Sequence, residues 1–235
     1  MYNVSILDCG HSVISQNGTS VSISHEGQHY LVKQGWQPRA KRCLDVFGAF
    51  AALLLLAPVL LVIAACIRLE SKGSPLFTQL RWGLNGKKIR VYKFRSMRAD
   101  LCDPTGVKQT TVNDPRVTRV GAILRKTNLD ELPQLINVLK GDMSLVGPRC
   151  HAIGMLAGGV LYEELVPNYH ERHKVRPGLT GLAQVRGLRG PTDNPAKARA
   201  RVYADLYYIR KFSFVLDVRI ILGTIVAELK GGKGF

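Results

Sequence analysis

The sequence predicts an α/β fold, rich in helix with few short strands, held at a membrane by a re-entrant helix-break-helix and amphipathic interfacial helices. Three observations carry this reading. An apolar run without a charge extends from Val46 to Ile67, a helical repeat of Leu132, Leu135, Ile136 and Leu139 stops at Gly141, and a second repeat runs from Phe214 to Leu229.

The apolar run has the length, about 20 residues, that reaches across a bilayer. Pro58 stands near its middle, where it removes a backbone donor and crowds the preceding turn, so a kink or break is expected there. Arg39, Lys41 and Arg42 precede the run, and Arg68, Lys72, Arg81, Lys87, Lys88 and Arg90 come after it. Positive charge favours the cytoplasmic side, and here both flanks carry it. A helix that enters and leaves on one face satisfies both; a bitopic span kinked by proline is the alternative.

The 235 residues suffice for one substantial core and are too few for two full domains. Lys and Arg number 33 against 17 Asp and Glu, a formal charge of +16 that calls for an anionic partner: phosphate-rich substrate, nucleic acid or anionic lipid. Before Arg39 the only formal charges are Asp8, Glu26 and Lys33, so the basic character belongs to the apolar segment and the residues C-terminal to it. This leading segment has no basic stretch ahead of an apolar run, as a signal peptide would; Val21-Ser22-Ile23-Ser24 alternates like a short strand, and the segment as a whole reads as a poorly ordered polar tail. The five cysteines, Cys9, Cys43, Cys66, Cys102 and Cys150, are scattered without a CxxC pair, which argues against a disulfide framework or zinc cluster and fits a reducing compartment.

Toward the C-terminus, Phe214, Val218, Ile221, Ile225 and Leu229 recur at helical spacing, too short and too charged to span. Upstream, Arg199, Arg201, Arg210 and Lys211 alternate with Tyr203, Tyr207, Tyr208 and Phe212, as on a helix at a headgroup boundary or on a basic helix packed against its own domain.

Asn128 to Gly141 reads as a helix that begins just before Pro133, which puts Asp130 and Glu131 at its N-terminus. Taken alone, Asp130 is a cap and Glu131 a first-turn acid. Their surroundings favour chemistry: Lys93, Arg95, Arg116, Arg119, Arg125 and Arg149 supply cations, and carboxylates at such a place serve as nucleophile toward phosphorus or as Mg2+ ligand. His170-Glu171-Arg172-His173 lacks the spacing of a zinc helix, and the glycines at 178, 181, 187 and 190 read as loop flexibility.

The ordered motifs carry a resemblance. Lys41-Arg42 with Asp45, the proline-broken apolar run, Phe77-Thr78-Gln79-Leu80-Arg81-Trp82-Gly83, Lys93-Phe94-Arg95-Ser96-Met97, Asp114-Pro115-Arg116, Leu129-Asp130-Glu131-Leu132-Pro133-Gln134-Leu135, Gly141-Asp142-Met143-Ser144-Leu145-Val146-Gly147-Pro148-Arg149 and Val175-Arg176-Pro177-Gly178-Leu179-Thr180-Gly181 occur in this order. Together they resemble the monotopic polyprenyl-phosphate phosphoglycosyl transferases, the bacterial sugar transferase family, over residues 39 to 229. Three positions depart from the family pattern: Ala57 precedes Pro58 where Ser is common, Cys150 comes after Arg149 where Pro is usual, and Leu182 stands where Trp is frequent.

The resemblance implies that Asp130 attacks the sugar-bearing phosphate of a UDP-sugar, expels UMP and holds the phosphosugar until undecaprenyl phosphate takes it. It implies Mg2+ bound by Glu131, with Asp142 as a supporting ligand, and phosphate held by Arg149, with Arg125, Lys93, Arg95 and Arg116 in the same field. Pro58 marks the re-entrant break. The implied place is the bacterial cytoplasmic membrane, catalytic domain on the cytoplasmic face, at the first membrane step of exopolysaccharide or glycoconjugate assembly. The expected segments are a polar tail (1–38), a re-entrant helix (39–73), a cytosolic catalytic domain (74–212) and an amphipathic helix with tail (213–235). Membrane lipids and the two substrates are the expected partners, nucleic acid is not, and the oligomeric state stays open. The competing reading is a membrane-anchored basic scaffold for anionic polymer or nucleic acid; no row of base-stacking aromatics lines the cations around the dyad, and such a binder has no need of an acidic pair.

Overall fold

The computed structural model describes residues 5–7, 11–16, 19–23, 36–101, 114–190 and 194–230, and it divides into two units, Met1–Gln34 and Gly35–Phe235. In the first unit, β1 (Ser5–Leu7), β2 (His11–Gln16) and β3 (Thr19–Ile23) form an antiparallel sheet in chain order. The alternation read at Val21 to Ile23 falls in β3; Ser24, Cys9 and Cys102 lie outside the described residues.

The second unit begins with α1 (Trp36–Glu70), which contains the whole apolar run. Pro58 sits inside α1, with helix on both sides of it. A proline deletes one hydrogen bond and crowds one carbonyl, so it permits a bend without ending the helix. The helix is long and apolar enough to cross a membrane, and nearly all of that stretch is uncovered, with Phe50, Leu54, Leu55, Leu61 and Val62 exposed.

Both ends of α1 are fastened to the remainder of the second unit. Near its start, Arg42 donates to the carbonyls of Val138 and Leu139, Asp45 accepts from the Ser144 hydroxyl and the Leu145 N–H, and Ala49 packs with Val138 and Met143. Near its end, Ile63 and Ile67 pack with Phe94 and Leu124, and Glu70 accepts from the N–H groups of Arg119 and Val120.

The hairpin of β4 (Leu76–Trp82) and β5 (Lys88–Phe94) pairs Phe77 with Lys93. Next come α2 (Arg119–Lys126), capped by the Thr118 hydroxyl, a 3-10 turn at Leu129–Glu131 and α3 (Gln134–Lys140), which ends at Gly141 in the left-handed conformation. After β6 (Ser144–Val146) come the short antiparallel pair β7 (Leu156–Ala157) and β8 (Val160–Leu161), α4 (Tyr162–Leu165) and a 3-10 segment at Tyr169–Lys174. β9 (Gly178–Thr180) then pairs in parallel with β6, and α5 (Leu182–Val185) leads to α6 (Pro195–Arg210) and α7 (Phe214–Leu229), capped by Asn194 and Ser213 respectively. Cys150, at the position where proline is usual, is buried among Val91, Leu135 and Met143.

α7 has the expected length, and a largely polar line of it faces the domain. The line facing the domain is Asp217, Ile220, Thr224 and Glu228, while Val215, Leu222, Ile225, Val226 and Leu229 are exposed. Of the repeat read from the sequence, Ile225 and Leu229 point outward. A helix in water buries its apolar stripe; this one is held inward by polar contacts and presents apolar residues to its surroundings.

Candidate active site

Asp130 and Glu131 lie on the 3-10 turn between α2 and α3, a step before the helix rather than on it. The turn is launched by Asn128, whose backbone is left-handed (φ 55°), and it is closed by the Glu131 N–H bonding to the Asn128 carbonyl at 3.2 Å and the Leu132 N–H bonding to the Leu129 carbonyl at 3.3 Å. Pro133 then occupies the N-cap position of α3 with φ −59°, where its missing donor leaves nothing unsatisfied. Neither acid caps a helix through its side chain.

Three elements bring cations to this turn. From β5, Lys93 Nζ donates to Glu131 Oε1 at 2.7 Å. From the loop after β6, Arg149 Nη1 donates to Glu131 Oε2 at 2.9 Å, and its Nη2 to Oε1. From α2, Arg125 joins Lys93 and Arg149 in the electrostatic field at Asp130. Glu131 is therefore held from two sides, whereas Asp130 is buried beside it.

The two carboxyls respond in opposite directions. Burial pushes Asp130 up from the ordinary aspartate value, opposed by Lys93, with Glu131 adding to the rise. Burial also opposes charge on Glu131, but the combined pull of Arg149 and Lys93 outweighs it and holds this carboxyl well below the usual range. The result is one firmly ionised, cation-locked acid beside one poorly solvated acid.

Two further sequence motifs meet to place Arg149. The β6–β9 pairing aligns Ser144 with Gly178, and the Gly178 N–H donates to the Pro148 carbonyl at 2.9 Å. A Cβ on Gly178 would lie 2.1 Å from the Gly147 nitrogen, so this glycine permits close backbone approach rather than flexibility. Behind Arg149, the buried Arg172 donates to its carbonyl at 2.6 Å and pairs with the buried Asp205 at 2.8 Å. Burial, then Arg172, depresses the neighbouring His151 strongly, so the imidazole there is neutral.

The remaining residues singled out from sequence sit elsewhere. Arg95 is buried and donates to the carbonyls of Ile67 and Ser71 and, at 2.5 Å, of Lys72, closing the end of α1. Arg116 grips Asp114 with a 2.6 Å ion pair in its own turn. Asp142 stands beyond the opposite end of α3 from the dyad, 3.8 Å from Lys140 and bonded by Asn137. Sequence reasoning passed over Asn137, fully buried in α3, which accepts from the Tyr92 N–H and donates to the Arg90 carbonyl, fixing α3 against β5 and hence Glu131 against Lys93. Its signal was a polar residue inside an apolar helical stripe. Arg172 and Asp205, 33 positions apart, carry no local signal.

No cluster of three or more metal-ligating side chains occurs among the described residues. A hard divalent ion that keeps several waters needs only one or two carboxylates plus substrate phosphate; Asp130 and Glu131 supply two, with both Glu131 oxygens already accepting from Lys93 and Arg149.

A buried carboxyl next to a cation-locked one stands on a domain fastened to both ends of a helix long and apolar enough to cross a membrane. The chain belongs to the bacterial sugar transferase family, whose sequence profile matches residues 36–231. It is 69% identical over 195 residues to the exopolysaccharide production protein PSS of Rhizobium leguminosarum bv. phaseoli, covering 83% of this chain and 98% of that protein. It is 46% identical over 200 residues to an undecaprenyl-phosphate glucose phosphotransferase of Komagataeibacter xylinus, covering 85% of this chain and 38% of the relative. It is 50% identical over 185 residues to the UDP-glucose:undecaprenyl-phosphate glucose-1-phosphate transferase of Escherichia coli (strain K12), covering 79% and 39%. The chain thus spans less than two fifths of the length of these last two relatives.

Proposed function

We propose that this protein transfers a hexose 1-phosphate from a UDP-sugar to undecaprenyl phosphate, with release of UMP, at the cytoplasmic face of a bacterial membrane. The observation that carries the reading is the asymmetric dyad: a buried Asp130 beside a Glu131 locked by Lys93 and Arg149. UDP-glucose is the donor to test first, because the Komagataeibacter and Escherichia relatives have glucose in their names.

In the proposed reaction an Asp130 oxygen attacks the sugar-bearing phosphorus, and the bond from that phosphorus to the bridging oxygen breaks, the electron pair leaving with UMP. A phosphate oxygen of undecaprenyl phosphate then attacks the same phosphorus and releases the Asp130 carboxylate. Burial suits Asp130 to this part, since a carboxylate stripped of water is a better nucleophile once ionised. Arg149, Lys93 and Arg125 offset the negative charge of incoming phosphates. Mg2+, held by Glu131 with Asp130 and the diphosphate, would shield charge on the departing UMP.

The same reading explains α1. Its two ends are bonded to one domain, through Arg42 and Asp45 at the start and through Glu70 and the Arg95-capped carbonyls at the finish, which favours a helix that dips into the bilayer at Pro58 and returns over one that passes straight through. The exposed apolar residues of α7 suit a surface helix at the same interface.

The test is UMP release by the purified protein from a panel of UDP-sugars, with and without undecaprenyl phosphate and Mg2+. Release that requires Asp130 and Mg2+ is the expected result. Salt-sensitive binding of anionic polymer without UMP release from any donor would replace the enzyme with a basic scaffold.

A further inference from the structure

We propose that Glu228, in the last turn of α7, is a positioning residue for the dyad, holding through Asn128 the turn that presents Asp130; the proposal rests on the catalytic role of that turn under the proposed function. Asn128 occupies the left-handed region at φ 55°, which Asn enters more readily than other side-chain-bearing residues and which a well-placed side-chain contact can fix. Its carbonyl accepts from the Glu131 N–H, and its own N–H donates to the Arg125 carbonyl at 3.4 Å, so its backbone angles set the direction in which residues 129–131 leave α2. What enforces the conformation is 100 positions away: Asn128 Nδ2 donates to both Glu228 oxygens, at 3.1 and 3.3 Å.

Glu228 stands against the local electrostatics of its helix. A carboxylate in the last turn meets the negative end of the helix dipole, a placement that disfavours acids. Arg189 offsets this by donating Nη1 to Glu228 Oε1 at 2.6 Å, which leaves the carboxylate fixed between Arg189 and the dyad turn. The inward line of α7 continues the pattern, with Asp217 bonded to Lys41 and Tyr208, and the Thr224 hydroxyl 2.7 Å from that of Thr180 in β9. The polar face of α7 thus reaches the base of α1, the strand beside Arg149, and the dyad turn. Glu228 thus stands against its own helix's preference while its carboxylate bonds the residue that launches the dyad turn.

The experiment compares full-length wild type with Glu228→Ala, Glu228→Gln, Asn128→Gly and the Glu228→Ala/Asn128→Gly double variant. Glycine keeps the left-handed backbone and deletes the amide. UMP release gives kcat and KM, and hydrogen–deuterium exchange over residues 128–133 reads the turn whether or not UMP appears. Glu228→Ala should lower kcat by about tenfold to a hundredfold, with KM for the UDP-sugar within about threefold, and should speed exchange in the turn. Glu228→Gln, which keeps one acceptor, should recover most of the rate. In the Asn128→Gly background, Glu228→Ala should change kcat no further, because the contact it removes is already gone. Exchange unchanged in Glu228→Ala, or losses that multiply in the double variant, would overturn the proposal. A wild type that releases no UMP would instead remove the catalytic reading, and the exchange comparison would still decide whether Glu228 holds the turn.

Discussion

Arg149 grips Glu131 with both terminal nitrogens, Nη1 on Oε2 at 2.9 Å and Nη2 on Oε1, while Lys93 takes Oε1 from the other side. This double hold leaves Glu131 charged and immobile and gives Asp130, one residue earlier, an acidic neighbour that cannot take up a proton in its place. Stability, its pH dependence and turnover should each register that division of labour between the two acids.

Asp130→Asn should abolish UMP release and raise thermal stability. The Asp130 carboxyl titrates above its ordinary value because burial disfavours its charge, so ionising it costs the folded state stability at neutral pH. A relief of about 1 kcal/mol corresponds to a rise in Tm of about 2–4 °C for a chain of this size. The gap between wild type and variant should close as pH falls from above Asp130's raised folded value toward the ordinary aspartate value near 4, where both are uncharged at this position. Calorimetry across that window checks the sign; a variant less stable than wild type at pH 7 contradicts it.

Glu131 has the opposite linkage. Its folded value is depressed, so its contribution to stability is complete above the unfolded glutamate value, about 4.3, and disappears as pH drops through the folded one. Glu131→Gln leaves Lys93 and Arg149 facing a neutral group in a mostly covered site and should cost about 2 kcal/mol at pH 7 by urea unfolding. Equal stabilities for variant and wild type would show that the two cations find other partners.

Arg149→Lys keeps the charge and loses the fork. A single ammonium cannot bond both Glu131 oxygens while also facing a phosphate, so kcat should fall roughly 10²-fold with little change in Tm. Arg95→Lys should behave the other way, since Arg95 serves the carbonyls at the end of α1 rather than the dyad. Stability should fall by about 1–3 kcal/mol, and the specific activity of the folded fraction should hold. Kinetics and melting curves on the same two preparations separate the roles.

These contrasts mark what the sequence made legible. The dyad, Lys93, Arg125 and Arg149 were readable because each lies in a short stretch where cations, Gly and Pro crowd together, and the apolar run announced α1 by length alone. Arg95 and Arg116 carry the same local signature, and only the long-range fold shows that one closes a helix and the other a turn. Gly178 looked like a loop glycine because its contact is Gly147, 31 positions earlier. Periodicity found the α7 repeat but not which line of the helix meets the domain; the inward partners, Lys41, Thr180 and Asn128, come from across the chain. Asn128 itself reads as an ordinary residue before the dyad until its backbone angle and its bond to Glu228 are seen.

The topology of α1 can be settled with single cysteines. Arg39 and Lys72 are exposed and flank the apolar run, Cys43 and Cys66 are exposed within α1 and Cys150 is buried, so the labelling background replaces Cys9, Cys43, Cys66 and Cys102 with Ser. In that background, Arg39→Cys and Lys72→Cys should both react with a membrane-impermeant maleimide in inverted membrane vesicles, and neither in intact cells whose outer membrane has been permeabilised. A straight span would carry either the Arg39–Arg42 collar or the whole basic domain to the far side, against the preference of positive charge, and would break the contacts that bind both ends of α1 to one domain. Replacing Pro58 with Leu restores the missing backbone donor and favours a straight helix, against which the domain contacts must then work. In that variant the labelling should stay one-sided and the Tm should fall. Labelling of Arg39→Cys from outside in the otherwise native helix would establish a bitopic span and remove the dip at Pro58.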